Sequence, residues 1–165
     1  MDWGALLVTE NGAPFITPQS IPLAMYSKKS AGISGSAGSV TTISEAFPSG
    51  RPVIPFVYST TNCVVSYTVG GNICTVTFRN STAAGTAYVY FFTIFEQPLP
   101  DWGFAIWDER GVCILTNETR VLTDVQAIGT NGSDSAGFSI NTTLPGKFGI
   151  VPSMSGLATG VILDG

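Results

Sequence analysis

Eleven carboxylates, three cysteines and no histidine form the reactive inventory of this 165-residue chain. Without an imidazole, neither a Ser-His-Asp nor a Cys-His arrangement is available, and histidine-based metal ligation is excluded with them. What remains is hydrolysis by a carboxylate pair, one carboxyl protonating a leaving group while its partner acts as base or nucleophile. The acidic candidates are Asp101 and Asp108-Glu109. They stand at a strand start and in a turn, where a short Asp side chain bonds neighbouring backbone N–H groups, so we read them as turn formers and solubilising charges. Asp134 lies in the oxygen-rich run Thr130-Asn-Gly-Ser-Asp-Ser135. That run lacks the alternating acidic ligands and the bidentate Glu of a calcium loop, and we read it as a plain loop. No catalytic residue, cofactor site or metal site is assigned from the sequence.

The cysteines are read through a hairpin. A two-residue turn at Gly70-Gly71 is expected to pair Val69 with Asn72, Tyr67 with Cys74 and Cys63 with Phe78. Cys63, Val65, Tyr67, Cys74, Val76 and Phe78 then share one face, with Ser66, Thr68, Thr75 and Thr77 on the other. In this register the two sulfurs are about four residues apart at ~3.3 Å each, too far for a disulfide, whose Cα atoms lie within ~7 Å. Cys113 is the odd third. All three are read as small buried hydrophobes, and with no CxxC pair a zinc site has no support.

Aromatic residues are the stronger candidates for recognition. In Tyr88-Val-Tyr-Phe-Phe-Thr-Ile-Phe95 both alternating faces are apolar, Tyr88, Tyr90, Phe92 and Ile94 on one and Val89, Phe91, Thr93 and Phe95 on the other. An antiparallel strand with one face in water normally keeps that face polar. This strand is therefore either central between two packed layers or covered by another subunit. Tyr88, Tyr90, Phe91 and Phe95, together with Trp107, are the candidate interface residues.

The elements that carry these residues repeat. Asp2-Trp3-Gly4 returns as Asp101-Trp102-Gly103, and the ungapped match runs to Met25 and Asp124. Identical pairs include Glu10/Glu109, Gly12/Gly111, Thr17/Thr116 and Leu23/Leu122. A second block matches Ile43, Phe47, Pro48, Val53, Ile54 and Pro55 to Ile140, Leu144, Pro145, Ile150, Val151 and Pro152. Trp3 and Trp102 open equivalent strands and are expected to anchor each copy's core. Trp107 replaces Val8, so the repeat itself does not demand a large ring there. Strands are expected at Trp3–Thr9, Ala13–Thr17, Val53–Tyr58, Cys63–Thr68, Ile73–Arg79, Ala87–Phe95, Gly103–Trp107 and Val112–Thr116. Further strands are expected at Gly137–Ile140, Phe148–Val151 and Val161–Leu163. Residues 30–41, rich in Ser and Gly, are expected to form a flexible loop or linker arm, and lack the Gly-Lys-Ser/Thr ending of a phosphate cradle.

Short strands separated by turn signals every 8–12 residues indicate β-sandwiches. We expect an all-β protein of two tandem related β-sandwich-like units: residues 1–97, a Pro linker at 98–100, and a second, truncated unit at 101–165. The truncation leaves open strand edges in the second copy, which another strand must cover. Only 11% of residues are charged, against about 25% in ordinary soluble domains. That poverty points to surface covered in an assembly, and we expect a homo-oligomer. A net charge of −4 with no basic stripe argues against nucleic-acid binding. The longest apolar run, Tyr88–Phe95, suits a strand and is far short of the ~20 residues of a membrane helix. Met1 is followed at once by Asp2 and Trp3 rather than a basic segment, so cytosolic synthesis is expected. The four Asn-x-Ser/Thr sequons at Asn80, Asn117, Asn131 and Asn141 are not read as glycosylation sites.

One stretch resembles a known group. A "-VYVF-" strand, a Pro-containing linker and "-(Y/W)G-x-x-V-(Y/W)-D-x-x-G-x-(V/I)-x-F-(S/T)-" look like small β-rich structural proteins of the tail tip or tail fibres of tailed bacteriophages. The matching residues are Tyr88–Phe92, Pro98–Pro100, Trp102-Gly103, Ile106-Trp107-Asp108, Gly111 and Ile114-Leu115-Thr116. A partial earlier copy covers Trp3-Gly4, Leu7-Val8, Gly12 and Phe15-Ile16-Thr17. Leu115 stands where the pattern has an aromatic, and Thr9 where it has the turn Asp. The resemblance implies a non-enzymatic virion component, assembled in the host cytoplasm, whose partners are other tail proteins. A receptor- or carbohydrate-binding module at a fibre tip, meeting a host surface receptor, stays open beside it, as do a capsid decoration protein and a small hydrolase.

Overall fold

The computed structural model describes residues 21–123, 125–126 and 146–151, together with the backbone of two short strands near the N-terminus. None of the described residues is helical. The strands are β1 (Leu7–Val8), β2 (Pro14–Ile16), β3 (Ala24–Ile33), β4 (Val40–Ala46), β5 (Val53–Ser59), β6 (Val64–Gly70), β7 (Ile73–Arg79), β8 (Gly85–Thr93), β9 (Ala105–Trp107) and β10 (Cys113–Thr116). All pairings are antiparallel, so the all-β class is observed.

Two three-stranded sheets, ordered β3-β8-β5 and β4-β7-β6, pack face to face. The alternation in β8 decides what lies between them. Ala87, Val89, Phe91 and Thr93 are fully buried, whereas Tyr88, Tyr90 and Phe92 on the other face are half-buried. Cys74, Val76 and Phe78 of β7 meet them from the opposite sheet, with Ile33, Ile43, Phe47 and Val57 closing the core. Burying each large side chain contributes about 1.5–3 kcal/mol. The one hydroxyl taken into this layer by β8 is satisfied, since Thr93 Oγ1 donates to the Pro52 carbonyl at 2.7 Å. The central position of β8 between β3 and β5 thus accounts for its inner apolar face. It leaves the outer one unexplained by packing.

Residues 30–41 are not a flexible arm. Residues 30–33 belong to β3 and residues 40–41 to β4, leaving only 34–39 as the connection. Small residues conceal the strand in the sequence, because Ser30, Ala31 and Gly32 carry little of the apolar signal that marks a strand. In the fold they are held by pairing along β8, Ser30 opposite Tyr88 and Gly32 opposite Thr86. β3 belongs to one sheet and β4 to the other, and side chains tie them at that edge. Lys29 Nζ donates to the Ser44 carbonyl at 2.7 Å, and Thr41 Oγ1 to the Gly32 carbonyl at 3.2 Å.

The β6–β7 hairpin differs from expectation by a slip of two. Gly70 pairs with Ile73, Val69 with Cys74, Tyr67 with Val76 and Val65 with Phe78. The turn is therefore Gly71-Asn72, with Gly71 at φ 59° and Asn72 not in the positive region. Positive φ at the first central residue alone is the type II′ pattern. Side chains alternate with period two, so a two-residue slip leaves every residue on its expected face. Cys74 lies opposite Val69, six positions from Cys63, and both thiols are free.

Two short hairpins inside the first repeat block pair alike. Leu7 pairs with Ile16 and Val8 with Pro14, while Ile106 pairs with Leu115 and Trp107 with Cys113. These are equivalent positions of the two copies, joined in the same register and with the same irregularity between the two pairs. The described residues beyond β10 make no sandwich of their own. Val121 instead bridges Ala24 at the start of β3, and Ile150 bridges Val57 of β5. Each adds a single bridging residue to an edge of the β3-β8-β5 sheet. The expected strands at Gly137–Ile140 and Val161–Leu163 lie outside the described residues, and so do Trp3 and Asp134.

Candidate interaction surface

The outer face of the β3-β8-β5 sheet is built by cross-strand register. Tyr58, Tyr88 and Ser30 form one row, Phe56, Tyr90 and Lys28 the next, and Ile54, Phe92 and Met25 a third. Tyr58 and Tyr88 stack with centroids 6.0 Å apart, and Phe56 meets Phe92 edge-on at 5.4 Å. Lys28 Nζ sits 5.7 Å from the Tyr88 centroid and 5.2 Å from that of Tyr90. An ammonium over two ring faces is attracted by their quadrupoles, worth about 0.5–1 kcal/mol at an exposed site. Backbone covers part of this face, since Gly149 lies against Phe56 closely enough that an added Cβ would press on the Phe56 Cβ.

A second aromatic surface sits on the β9–β10 hairpin. Asp108 shapes its turn: Oδ1 accepts the N–H groups of Arg110 and Val112, each at 2.9 Å. The Gly111 N–H donates to the Asp108 carbonyl at 3.0 Å, with Gly111 at φ 79°. This is the turn-forming role read for Asp108 in the sequence. All four residues of β10 are buried, whereas Trp102 is 78% exposed, Phe104 52% and Trp107 52%. Trp102 is thus no core anchor. Residues 101–103 bend, with Gly103 at φ 123°, and the chain enters β9 only at Ala105, leaving the indole outside.

Gln97 fastens this hairpin to the sandwich. It is buried, its N–H donates to the Cys113 carbonyl at 2.8 Å and its Nε2 to the Phe95 carbonyl at 3.1 Å, while its Oε1 accepts the Thr119 hydroxyl at 3.0 Å. Beside it an open groove of about 550 Å³ is lined by Glu96, Gln97, Pro98, Leu99, Trp107, Gly111 and Cys113. Leu99, 64% exposed, and Trp107 form its apolar wall.

The candidate interface residues therefore separate. Tyr88 and Tyr90 are together on the open sheet face, and Trp107 is exposed on the hairpin. Phe95 packs edge-on against Tyr26 at 5.0 Å. Phe91 is fully buried between the sheets and presents nothing to a partner. Lys28, Phe104 and Gln97 were not singled out in the sequence. Only Phe104 left a signal there, as an aromatic two residues past Trp102. Comparison of the chain with protein-family models, with curated proteins and with solved structures gives no match.

Proposed function

We propose that this chain is a non-enzymatic structural protein of a tailed bacteriophage virion, an assembly or adaptor component of the tail tip or tail fibre, built from two related β units of which the second is shorter. The observation that carries the reading is the β9–β10 hairpin with the residues leading into it, which lie in the segment resembling such proteins and leave Trp102, Phe104 and Trp107 in solvent. Three large apolar groups exposed within six residues suit an association surface better than a folding requirement. Aromatic anchors of this kind supply most of the binding energy when a partner encloses them. Mass spectrometry of purified particles, with antibody labelling seen by electron microscopy, tests it. Label on the tail supports the proposal, label over the capsid replaces it with a decoration role, and absence of the chain from particles overturns it.

A second reading is favoured by the Tyr58, Tyr88, Tyr90 and Lys28 face. Half-exposed tyrosines with a cation suit a sugar or receptor surface on a fibre. Binding on a glycan array that is lost in Tyr88→Ala would favour this reading.

A further inference from the structure

β6 ends its sheet, and no described residue pairs with its outer side. The other three edges of the two sandwich sheets are each partly occupied or guarded. The start of β3 bonds residues 120–122, β5 takes Ile150, and β4 is flanked by the Lys29 ammonium and the Glu45 carboxylate. β6 runs for seven residues, Val64-Val-Ser-Tyr-Thr-Val-Gly70, with no charge, no proline and no bulge against β7. Natural edge strands usually carry one of those devices, because a bare edge is a template for another strand. Val64 and Val69 are 58% and 52% exposed.

We propose that β6 pairs antiparallel with β6 of a second copy about a two-fold axis at Tyr67, joining two three-stranded sheets into one of six. The backbone has the right parity. Phe47 N–H bonds the Asn72 carbonyl, so in β7 the even-numbered residues face β4 and Ile73, Thr75, Thr77 and Arg79 face β6. Their partners Gly70, Thr68, Ser66 and Val64 spend their backbone groups on β7. Val65, Tyr67 and Val69 direct theirs outward. With Tyr67 on the axis, Tyr67 faces Tyr67 and Val65 faces Val69, each facing pair exchanging two backbone hydrogen bonds.

The side chains agree with that register. Val65, Tyr67 and Val69 share the core-side face and would meet only one another, whereas Ser66 meets Thr68 on the outer face. No like charges are brought together, since β6 has none. The hydrophobic seam would run on from the sandwich core and cover Val69. A strand displaced by one residue would place outward-facing backbone groups against spent ones. The pairing stands on β6 alone, so its success or failure leaves the viral reading to its own experiment.

Sedimentation equilibrium of the full chain at micromolar concentrations tests the contact. The wild type is expected to be a discrete dimer, and Val69→Pro, whose lost N–H serves no bond to β7, to be monomeric. Val69→Lys, on an already exposed side chain, is expected to weaken the dimer by about tenfold or more and serves if the proline variant does not fold. Register is read by cross-linking in a Cys63→Ser background. Ser66→Cys with Thr68→Cys places thiols at a non-hydrogen-bonded pair whose Cα atoms are about 4.5 Å apart, within disulfide reach. Val64→Cys alone leaves its two copies about 20 Å apart and is expected not to link. A monomeric wild type, an irregular aggregate, a dimer unaffected at Val69, or cross-linking at Val64 but not at Ser66 and Thr68 would overturn the proposal.

Discussion

Lys29 Nζ lies 3.3 Å from Glu45 Oε2 and 2.7 Å from the Ser44 carbonyl oxygen, so one side chain of β3 holds two consecutive residues of β4. Burial opposes charge on Glu45. The Ser27 hydroxyl at 2.5 Å, the Lys29 ammonium and the Ala46 N–H outweigh it and hold the carboxyl below its ordinary range. A carboxyl lowered in the folded state stabilises above its unfolded pKa, and that contribution is lost as pH falls through the folded value. Lys29 is 43% exposed, so solvent screening limits the pair to about 0–1 kcal/mol. Urea unfolding of Lys29→Met is expected to show a small deficit at neutral pH that closes on acidification. A deficit that grows in acid would contradict this sign.

Phe91 and Phe92 are neighbours in sequence and face opposite sides of β8. Phe91→Ala empties a fully buried site and is expected to cost about 3–5 kcal/mol. Phe92→Ala, on the half-buried outer face, is expected to cost markedly less. Denaturant midpoints compare the two directly, and equal losses would mean the outer face is covered as well as the inner.

Cys74 has no exposed surface, and burial pushes its thiol up to about 11. Since only the thiolate reacts, the thiolate fraction alone lowers its rate about 100-fold relative to an ordinary cysteine. Mass-resolved alkylation of the native protein is expected to reach the half-buried Cys63 first, and Cys74 only on unfolding. Early labelling of Cys74 would place it outside the core.

Gly103 and Gly111 both have positive φ, yet they differ in what surrounds them. An added Cβ at Gly103 would overlap the Asn117 side chain, whose Oδ1 accepts the Phe104 N–H at 3.3 Å, whereas at Gly111 it meets open space. Gly111→Ala is expected to cost about 1 kcal/mol from backbone strain alone, and Gly103→Ala more. Thermal melts rank them, and the reverse order would refute the packing of Asn117.

What was legible in the residues followed from period and punctuation. β5, β7 and β8 are dense in β-branched and aromatic residues, and the Gly111 turn is written in its Asp and Gly. The hairpin correspondence was visible because repeated residues repeat their register, Leu7 with Ile16 as Ile106 with Leu115. β3 and β4 were not legible. Their small and polar residues are strand-forming only because β8 and β7 supply the partners, which is a tertiary cause. Local composition likewise could not choose between Gly70-Gly71 and Gly71-Asn72. The exposure of Trp102 was hidden too, since a tryptophan at a strand start gives no sign of the bend at Gly103.

Ala24 at the head of β3 pairs with Thr93 at the end of β8, and Val53 of β5 pairs with that same Thr93. During synthesis, β3 and β5 must therefore wait while the β6–β7 hairpin, closed by two residues, forms in microseconds and pairs with β4. Only when β8 leaves the ribosome does the first sheet gain its middle strand. Long-range pairing of this kind is slow, and it leaves strand edges bare in the interval. The nascent chain is thus most vulnerable to premature association just before residue 93 emerges, which makes the timing of β8 a determinant of yield.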